Sequence, residues 1–318
     1  MCAIALVSGE IWCRSVGMTV EKDHSYYIRG SRVGVLLIHG LGGTPAEMRY
    51  IANGLARAGY TVYCPQLAGH CGTEEDIKRT RWQDWYASSE QALFELRKDC
   101  DTVIVGGLSA GAVLALLLAA RNPKDVHGTA LFAPVFWLNG WLIPWRMRLF
   151  SLVWMKSFAN LLTFPDIEPF GIKDDRVREF VRRALMSGDS SAAGIAATPG
   201  GVVLEHRRLV RAMGDELGNV HQPTLIVHPR DDDYADLDNA WYVQRHIKGL
   251  VDMVVLEDSY HLVTLDRQRH IVVERTTAFV ETVTKKVRAS AAKPAAKAGM
   301  QEAPQTITMK PVAAAAVS

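Results

Sequence analysis

The sequence predicts an α/β fold: a doubly wound, mostly parallel sheet with a helical insertion. Two observations support this class. Short apolar runs, such as Val33–Ile38 and residues 103–105, are continuous rather than alternating, as expected of strands covered on both faces. Segments with apolar residues at helical spacing lie between these runs, and the connections are short.

The first half of the chain alternates strand and helix. One or two strands are expected over 26–32, before the apolar strand at 33–38. Thr44 followed by Pro45 marks a helix start, and Glu47 completes a capping box three residues after the cap. Gly59 ends that helix. The elements expected next are a strand at 61–65, a helix at 82–98, a strand at 103–105, a helix at 114–120 and a strand at 128–134.

The alternation stops at residue 136 and resumes at 218. We expect strands at 224–228 and 253–256, with helices near 238–246 and 268–287. The predicted organisation therefore has a core in two parts, 25–135 and 218–288, which are separated by an insertion, 136–217. Residues 1–24 form an N-terminal extension. Residues 289–318 are rich in Ala, Lys, Pro, Ser and Gln and are predicted to be a disordered tail.

The insertion is rich in aromatic residues. Half of the eight tryptophans of the chain lie in its first part: Trp137, Trp141, Trp145 and Trp154. One interpretation is a helical segment that packs on the main domain. The interpretation we favour is a cap over an apolar substrate pocket, with the first three tryptophans binding substrate. The same aromatic side chains are compatible with a weak contact to a membrane surface, while interrupting basic residues exclude a transmembrane helix.

Composition excludes several functional classes. The 318 residues carry a formal net charge of +2 and no basic stripe interleaved with aromatics, so no nucleic-acid partner is expected. The five cysteines lack metal-type or disulfide-framework spacing, which favours a reducing compartment. The apolar N-terminus lacks a positive region before it and is a poor secretory signal, so we expect a cytoplasmic protein. Met18 is an alternative start to Met1.

A nucleophile motif lies where the apolar strand at 103–105 meets the following helix. Residues 107–111 read Gly-Leu-Ser-Ala-Gly, the G-x-S-x-G pattern of a tight strand-to-helix turn. Such a turn lifts the Ser109 hydroxyl above the sheet and leaves it at a helix N-terminus, where N–H groups stabilise developing negative charge. Ser109 is therefore the candidate nucleophile.

A serine nucleophile needs a base that is itself oriented by an acid. His261 lies just after the last predicted strand and is the candidate base. The acid lies in a run of three aspartates after the strand at 224–228, where spacing alone does not separate the candidates. Asp232 is our first choice and Asp231 our second.

An oxyanion hole needs two backbone N–H donors. Ala110, directly after the nucleophile, supplies one. The glycine-rich loop after the strand at 33–38 supplies the other, and the N–H of Leu41 is the expected donor. His39 is expected to brace this loop through hydrogen bonds rather than to act as a base.

These motifs together resemble the α/β-hydrolases, and among them the bacterial carboxylesterases and monoacylglycerol lipases with a small cap. The matching segments are 39–43, 69–70, 107–111, 230–232 and 261–266. The resemblance covers roughly residues 33–287 and implies the α/β-hydrolase fold. In that family the acid falls two residues after the arginine of such a loop, which implies Asp232, and the second oxyanion donor falls on Leu41. The chain departs from the family at Cys71, where a glycine is usual, and at Tyr260, where small residues are common.

The resulting hypothesis is a serine hydrolase that cleaves carboxylic esters with apolar acyl groups through an acyl-enzyme on Ser109. No metal and no organic cofactor is expected. A thioesterase, an amidase or peptidase, and a C–C bond hydrolase use the same triad and remain alternatives. A non-catalytic binding protein on this fold is an alternative of another class. The oligomeric state is left open.

Overall fold

A seven-stranded sheet forms the centre of the molecule. The computed structural model describes residues 23–144, 150, 152–188, 190 and 194–298. Its strands are β1 (Tyr26–Ile28), β2 (Val33–Ile38), β3 (Thr61–Cys64), β4 (Thr102–Leu108), β5 (Gly128–Phe132), β8 (Thr224–Pro229) and β9 (Val251–Leu256). The order of these strands across the sheet is β1-β3-β2-β4-β5-β8-β9, and every neighbouring pair is parallel except β1 with β3. The predicted parallel α/β class is confirmed.

Helices cover both faces of the sheet. The helices are α1 (Arg49–Arg57), α2 (Glu74–Arg79), α3 (Trp82–Asp99), α4 (Ala110–Arg121), α5 (Lys156–Ala159), α6 (Asp175–Met186), α7 (Gly200–Glu216), α8 (Asp238–His246) and α9 (Arg269–Ala298). Helices α1 and α9 contact one another on one face of the sheet, and α3, α4, α7 and α8 contribute to the apolar cluster on the other face. Short 3-10 helices occupy Pro45–Met48 and Leu217–Asn219.

The centre of the sheet explains the continuous apolar runs of the sequence. Every residue of β2 and β4 is buried, because these neighbouring strands have helices on both faces. Helix α4 buries ten of its twelve residues, from Ala110 to Ala119, so it is apolar on all sides rather than amphipathic. The turn between β4 and α4 is thus held by two buried elements.

The insertion contains a small sheet that the sequence did not predict. Strands β6 (Thr163–Pro165) and β7 (Ala197–Pro199) pair antiparallel. In chain order, helix α5 precedes β6, and helix α6 lies between the two strands. Helix α7 was predicted as part of the insertion, but it packs on α3 and α4 and buries Val202, Leu209 and Met213 in the main apolar cluster. Structurally, residues 200–216 belong to the core layer.

The ends of the chain differ in part from their prediction. Helix α9 continues to Ala298, so residues 289–298 are helical where a disordered tail was predicted. Residues 1–22 of the predicted extension and residues 299–318 of the predicted tail lie outside the described residues. Among the helices that the structure describes, none is long and apolar enough to cross a membrane.

Candidate active site

The turn between β4 and α4 has the strained geometry of a nucleophile elbow. Ser109 has φ 57° and ψ −117°, a conformation that costs a non-glycine residue free energy. Its N–H donates to the carbonyl of Phe132 at the end of β5, at 2.9 Å. Tight packing holds the turn in this shape, because a β-carbon at Gly107 would overlap the carbonyl of Gly111, and one at Gly111 would overlap the carbonyls of Ile38 and His39.

The close approach at Gly111 makes a testable prediction about stability. Gly111→Ala places a methyl group against backbone atoms that cannot rotate away, so we expect the free energy of unfolding to fall by about 2–3 kcal/mol. Gly218→Ala is the matched control, since nothing lies within 4 Å of a β-carbon at Gly218. Chemical denaturation of both variants tests this prediction. Equal stability of the two would contradict the packing described for the elbow.

The structure brings His261 and Asp232 together. The Nδ1 atom of His261 lies 2.9 Å from Oδ2 and 3.1 Å from Oδ1 of Asp232, and both side chains are buried. Oδ1 of Asp232 also accepts from the N–H groups of Tyr234 and Ala235, each at 2.8 Å. The backbone of the loop after β8 therefore holds the Asp232 carboxylate in place, and this carboxylate in turn orients the imidazole of His261.

This pairing changes the acid–base properties of both groups. Burial alone would lower the pKa of His261, but the charge and hydrogen bond of Asp232 reverse the effect and the net pKa is raised. Burial alone would raise the pKa of Asp232, but the positive charge of a protonated His261 opposes it and the net pKa is lowered. An ionised Asp232 therefore holds the Nδ1–H tautomer and stabilises the imidazolium that forms when His261 takes a proton.

The three adjacent aspartates have three different environments. Asp231 is exposed, and its backbone carbonyl accepts from the Trp141 indole N–H at 3.1 Å. Asp233 is buried, and its carboxylate accepts from the N–H groups of His261 at 3.2 Å and Gly171 at 2.9 Å. Burial raises the pKa of Asp233 to about 6. Asp233 thus ties the histidine loop to the insertion, a role that the sequence did not reveal.

A second buried histidine lies behind Asp232. The ring of His228, at the end of β8, donates through Nε2 to the carbonyl of Ala235 at 2.8 Å and lies 3.5 Å from Oδ2 of Asp232. Burial lowers the pKa of His228, which favours the neutral form of the ring beside the acid. Its position at the end of a strand was evident in the sequence, but its contact with Asp232 was not.

The glycine-rich loop after β2 lies directly beside the elbow. A β-carbon at Gly40 would be 3.6 Å from the β-carbon of Ser109. Within the part of the chain that the structure describes, neither the Leu41 nor the Ala110 N–H donates to a protein acceptor, so both are available for a ligand. His39 donates through Nδ1 to the carbonyl of Gly40 at 2.9 Å, and its Nε2 accepts from the Leu67 N–H at 3.3 Å. Burial and the neighbouring His70 lower the pKa of His39 to about 3, which fits a neutral brace.

Backbone hydrogen bonds join the insertion to three loops of the candidate site. The Ile195 N–H donates to the carbonyl of Gly42 at 3.0 Å, which joins the insertion to the oxyanion loop. The Leu262 N–H donates to the carbonyl of Gly171 at 2.8 Å, which joins the insertion to the histidine loop. The backbone N–H groups of residues 139, 140 and 142 donate to carbonyls of the aspartate loop. The insertion therefore contacts all three loops that carry the candidate site residues.

Comparison with known proteins decides the family. Residues 30–268 match the family described as serine aminopeptidase, S33, which covers most of the chain. The chain belongs to this family of α/β-hydrolases. The predicted resemblance and the predicted fold are both confirmed.

Characterised relatives of this α/β-hydrolase include a thermostable monoacylglycerol lipase from Bacillus sp. (strain H-257), which is 31% identical over 80% of this chain and 92% of the relative. A carboxylesterase from Bacillus subtilis (strain 168) is 23% identical over 83% of this chain and 98% of the relative. Among solved structures, one from a study of two metagenome-derived lipolytic enzymes, LipS and LipT, has a TM-score of 0.69 and 28% identity, and covers 81% of this chain and 97% of that one.

Two of the three tryptophans predicted to bind substrate have ring contacts in the structure. The ring of Trp137 lies 5.0 Å from that of Tyr242 on α8. The ring of Trp141 lies 5.6 Å from that of Tyr260. Trp145 lies outside the described residues. Substrate binding by these residues of the α/β-hydrolase stays a prediction.

No metal centre is found in the described part of this α/β-hydrolase. Across residues 23–144, 150, 152–188, 190 and 194–298, no group of three or more His, Cys, Asp or Glu side chains is arranged to hold a metal ion.

Proposed function

We propose that this α/β-hydrolase cleaves carboxylic esters through an acyl-enzyme on Ser109, with His261 as the base and Asp232 as the orienting acid. The observation that carries the proposal is the buried His261–Asp232 pair, 2.9 Å between Nδ1 and Oδ2, on the loops that follow β8 and β9. In the same parallel sheet, β4 leads into the strained elbow of Ser109. The relatives named as a lipase and a carboxylesterase confirm the prediction of an ester-hydrolysing enzyme. The role of each residue is part of the proposal.

The proposed reaction has two half-reactions. His261 takes the hydroxyl proton of Ser109 as Oγ attacks the ester carbonyl, and the N–H groups of Leu41 and Ala110 hold the oxyanion. The C–O bond then breaks, and the imidazolium of His261 gives its proton to the leaving alcohol. A water molecule next attacks the acyl carbonyl while His261 takes its proton, the bond between the acyl carbon and Oγ breaks, and the imidazolium returns the proton to Oγ of Ser109 as the acid product leaves.

The proposed substrate is an ester with an apolar acyl chain, of the monoacylglycerol type. The 31% identity to a monoacylglycerol lipase supports this substrate class. The surface of the cap supports a lipid-associated substrate, because large apolar side chains of residues 152–162 are exposed to solvent. Their exposed fractions are 75% for Leu152, 76% for Trp154, 61% for Phe158 and 79% for Leu161. An exposed apolar patch of this kind fits a weak contact with a lipid surface.

A chain-length series tests the proposed function. We expect hydrolysis of p-nitrophenyl esters from acetate to palmitate to have its highest kcat/KM at a medium or long chain, because each buried methylene contributes about 0.8 kcal/mol. The measurement is the initial rate across the series, with Ser109→Ala as the parallel control. Activity confined to acetate would contradict the apolar acyl pocket. Turnover of anilides rather than esters would favour the amidase alternative.

A further inference from the structure

The backbone on both sides of His261 is held by hydrogen bonds to other parts of the chain. Before it, the Tyr260 N–H donates to Oδ2 of Asp266 at 2.7 Å. After it, the Leu262 N–H donates to the carbonyl of Gly171 in the insertion at 2.8 Å. The position of the imidazole therefore depends on acceptors other than the carboxylate of its acid partner.

Asp266 joins the histidine loop to the insertion. Its side chain is fully buried, and Oδ2 accepts from the Lys173 N–H at 2.9 Å while Oδ1 accepts from the Asp174 N–H at 2.8 Å. Asp174 is in turn the residue that caps helix α6 with its side chain. With the Tyr260 N–H, one carboxylate thus accepts three backbone N–H groups from two segments that are remote from one another in the chain.

The insertion segment 171–174 is also held against the histidine loop at its first residue. The Gly171 N–H donates to Oδ2 of Asp233 at 2.9 Å, and Oδ1 of the same carboxylate accepts from the His261 N–H at 3.2 Å. A β-carbon at Gly171 would lie 3.1 Å from the β-carbon of His261, so the two segments are in close contact. Phe170 has a φ of 57°, a strained conformation that surrounding contacts must offset.

A further contact between these two segments lies at the surface. The Nζ atom of Lys173 is 3.1 Å from Oδ1 of Asp258, whose side chain is 51% exposed. An exposed ion pair of this kind contributes little to structure, because water and salt screen it. The buried hydrogen bonds of Asp266 are therefore expected to hold the two segments together more strongly than this ion pair does.

We propose that Asp266 is a positioning residue, which aligns the imidazole of His261 by joining its loop to the insertion segment 171–174. This inference rests on the proposed ester hydrolysis, in which His261 is the base. Asp266 acts through the backbone and not at the reacting atoms. A displacement of about 1 Å at a reacting group can cost about 10²-fold in rate, so a loosely held base is a slow one. The insertion then contributes to catalysis by holding the base.

The first test changes the acceptors of Asp266. Asp266→Ala leaves three backbone N–H groups without this partner, and we expect kcat on p-nitrophenyl butyrate to fall about 30- to 100-fold with KM within about threefold. Asp266→Asn removes the same charge but keeps one oxygen, which can accept from Tyr260 and Lys173, so we expect kcat within about fivefold of the wild type. The matched control is Asp258→Ala, which removes the surface ion pair and is expected to keep kcat within about twofold.

The pH profile separates misalignment of the base from a general loss of stability. The titratable groups around His261, which these variants leave unchanged, are Asp232, Asp233, Glu47, His228 and Tyr234. Asp232 raises the pKa of His261, whereas burial lowers it. If the imidazole moves away from Asp232, the acid limb of kcat/KM moves to lower pH. We expect this movement in Asp266→Ala and the wild-type acid limb in Asp266→Asn, although both variants lose the same charge.

A second variant disturbs the same contact from the insertion and leaves Asp266 in place. Gly171→Ala places a methyl group 3.1 Å from the β-carbon of His261, so we expect kcat to fall about tenfold, with the acid limb again at lower pH. Gly188→Ala is the matched control. The φ of Gly188 is 73°, close to the 70° of Gly171, but nothing lies within 4 Å of a β-carbon there. The control therefore carries similar backbone strain without the contact, and wild-type kcat is expected.

The outcomes separate this inference from the proposed function. Wild-type kcat in Asp266→Ala, or a loss that Asp266→Asn shares in full, would overturn the positioning role alone. If Asp266→Ala does not fold, the comparison of Gly171→Ala with Gly188→Ala decides, and equal kcat values in these two variants would overturn the role. No wild-type turnover, or turnover that persists in Ser109→Ala, would overturn the proposed function as well.

Discussion

Replacing Ser109 with alanine lowers kcat for ester hydrolysis by about 10⁵- to 10⁶-fold, because the acyl-enzyme no longer forms and His261 has no hydroxyl group to deprotonate. The fold is expected to tolerate the change, since the serine hydroxyl makes no hydrogen bond that caps helix α4. Alanine and serine both carry a β-carbon, so the backbone strain of the elbow is the same in the variant and in the wild type. The measurement is kcat on a p-nitrophenyl ester, together with the melting temperature.

A matched control distinguishes the loss of the nucleophile from a general loss of structure. Ser89 is a buried serine on α3 whose hydroxyl donates to the carbonyl of Trp85 at 2.9 Å, remote from the elbow in the chain. Ser89→Ala is expected to keep kcat within about twofold while losing about 1 kcal/mol of stability. If Ser109→Ala kept more than about one per cent of wild-type kcat, the nucleophile would have to be another residue.

The second large effect is expected at Asp232. Asp232→Asn lowers kcat by about 10⁴-fold, because the amide cannot hold the His261 tautomer or stabilise the imidazolium. Its neighbours are the matched controls. Asp231→Asn, at an exposed carboxylate, is expected to keep kcat within about twofold. Asp233→Ala removes the acceptor of the His261 and Gly171 N–H groups and is expected to cost about 1–3 kcal/mol of stability.

The pH dependence of Asp232→Asn gives an independent test of the same pair. His261 acts as a base only when neutral, so kcat/KM falls as the pH drops through its pKa. In the wild type this pKa is raised above its usual 6.5 by Asp232. Without the carboxylate, burial dominates and the acid limb of the residual activity moves to lower pH. An unchanged acid limb, or an equal loss of kcat in all three aspartate variants, would contradict the assignment of Asp232.

Much of the core was predictable because its signals are local. The apolar runs of β2 and β4 and the pattern of residues 107–111 follow from burial and from the backbone conformation of the elbow. The position of His261 after the last strand follows from the order of elements in this architecture. Neighbouring parallel strands end at the same edge of the sheet, so residues remote in sequence come together there.

The choice among the three aspartates was not predictable from their spacing. It depends on a turn in which Oδ1 of Asp232 accepts two backbone N–H groups, while Asp231 points to solvent and Asp233 faces the cap. Only the resemblance to known hydrolases indicated Asp232. The tertiary contact of His228 with that carboxylate likewise lacks any local signal.

The cap was the least predictable part of the chain, because the spacing of its apolar residues follows no single helical or strand period. Helix α7 has an apolar stripe that suits either a cap or a core helix, and only its packing on α3 and α4 decides between them. Glu47 fits a capping box in sequence, and its carboxylate does accept from the backbone N–H of Thr44. Its second contact, with the Gly40 N–H of the oxyanion loop at 3.0 Å, has no local signal in the sequence.

The most direct test of the central claim, an activated nucleophile at Ser109, is labelling with a fluorophosphonate probe followed by peptide mapping by mass spectrometry. The account predicts one adduct, on Ser109, that forms rapidly in the wild type and in Asp231→Asn and slowly in His261→Ala and Asp232→Asn. An adduct on another residue, or no adduct on the folded wild-type protein, would contradict it.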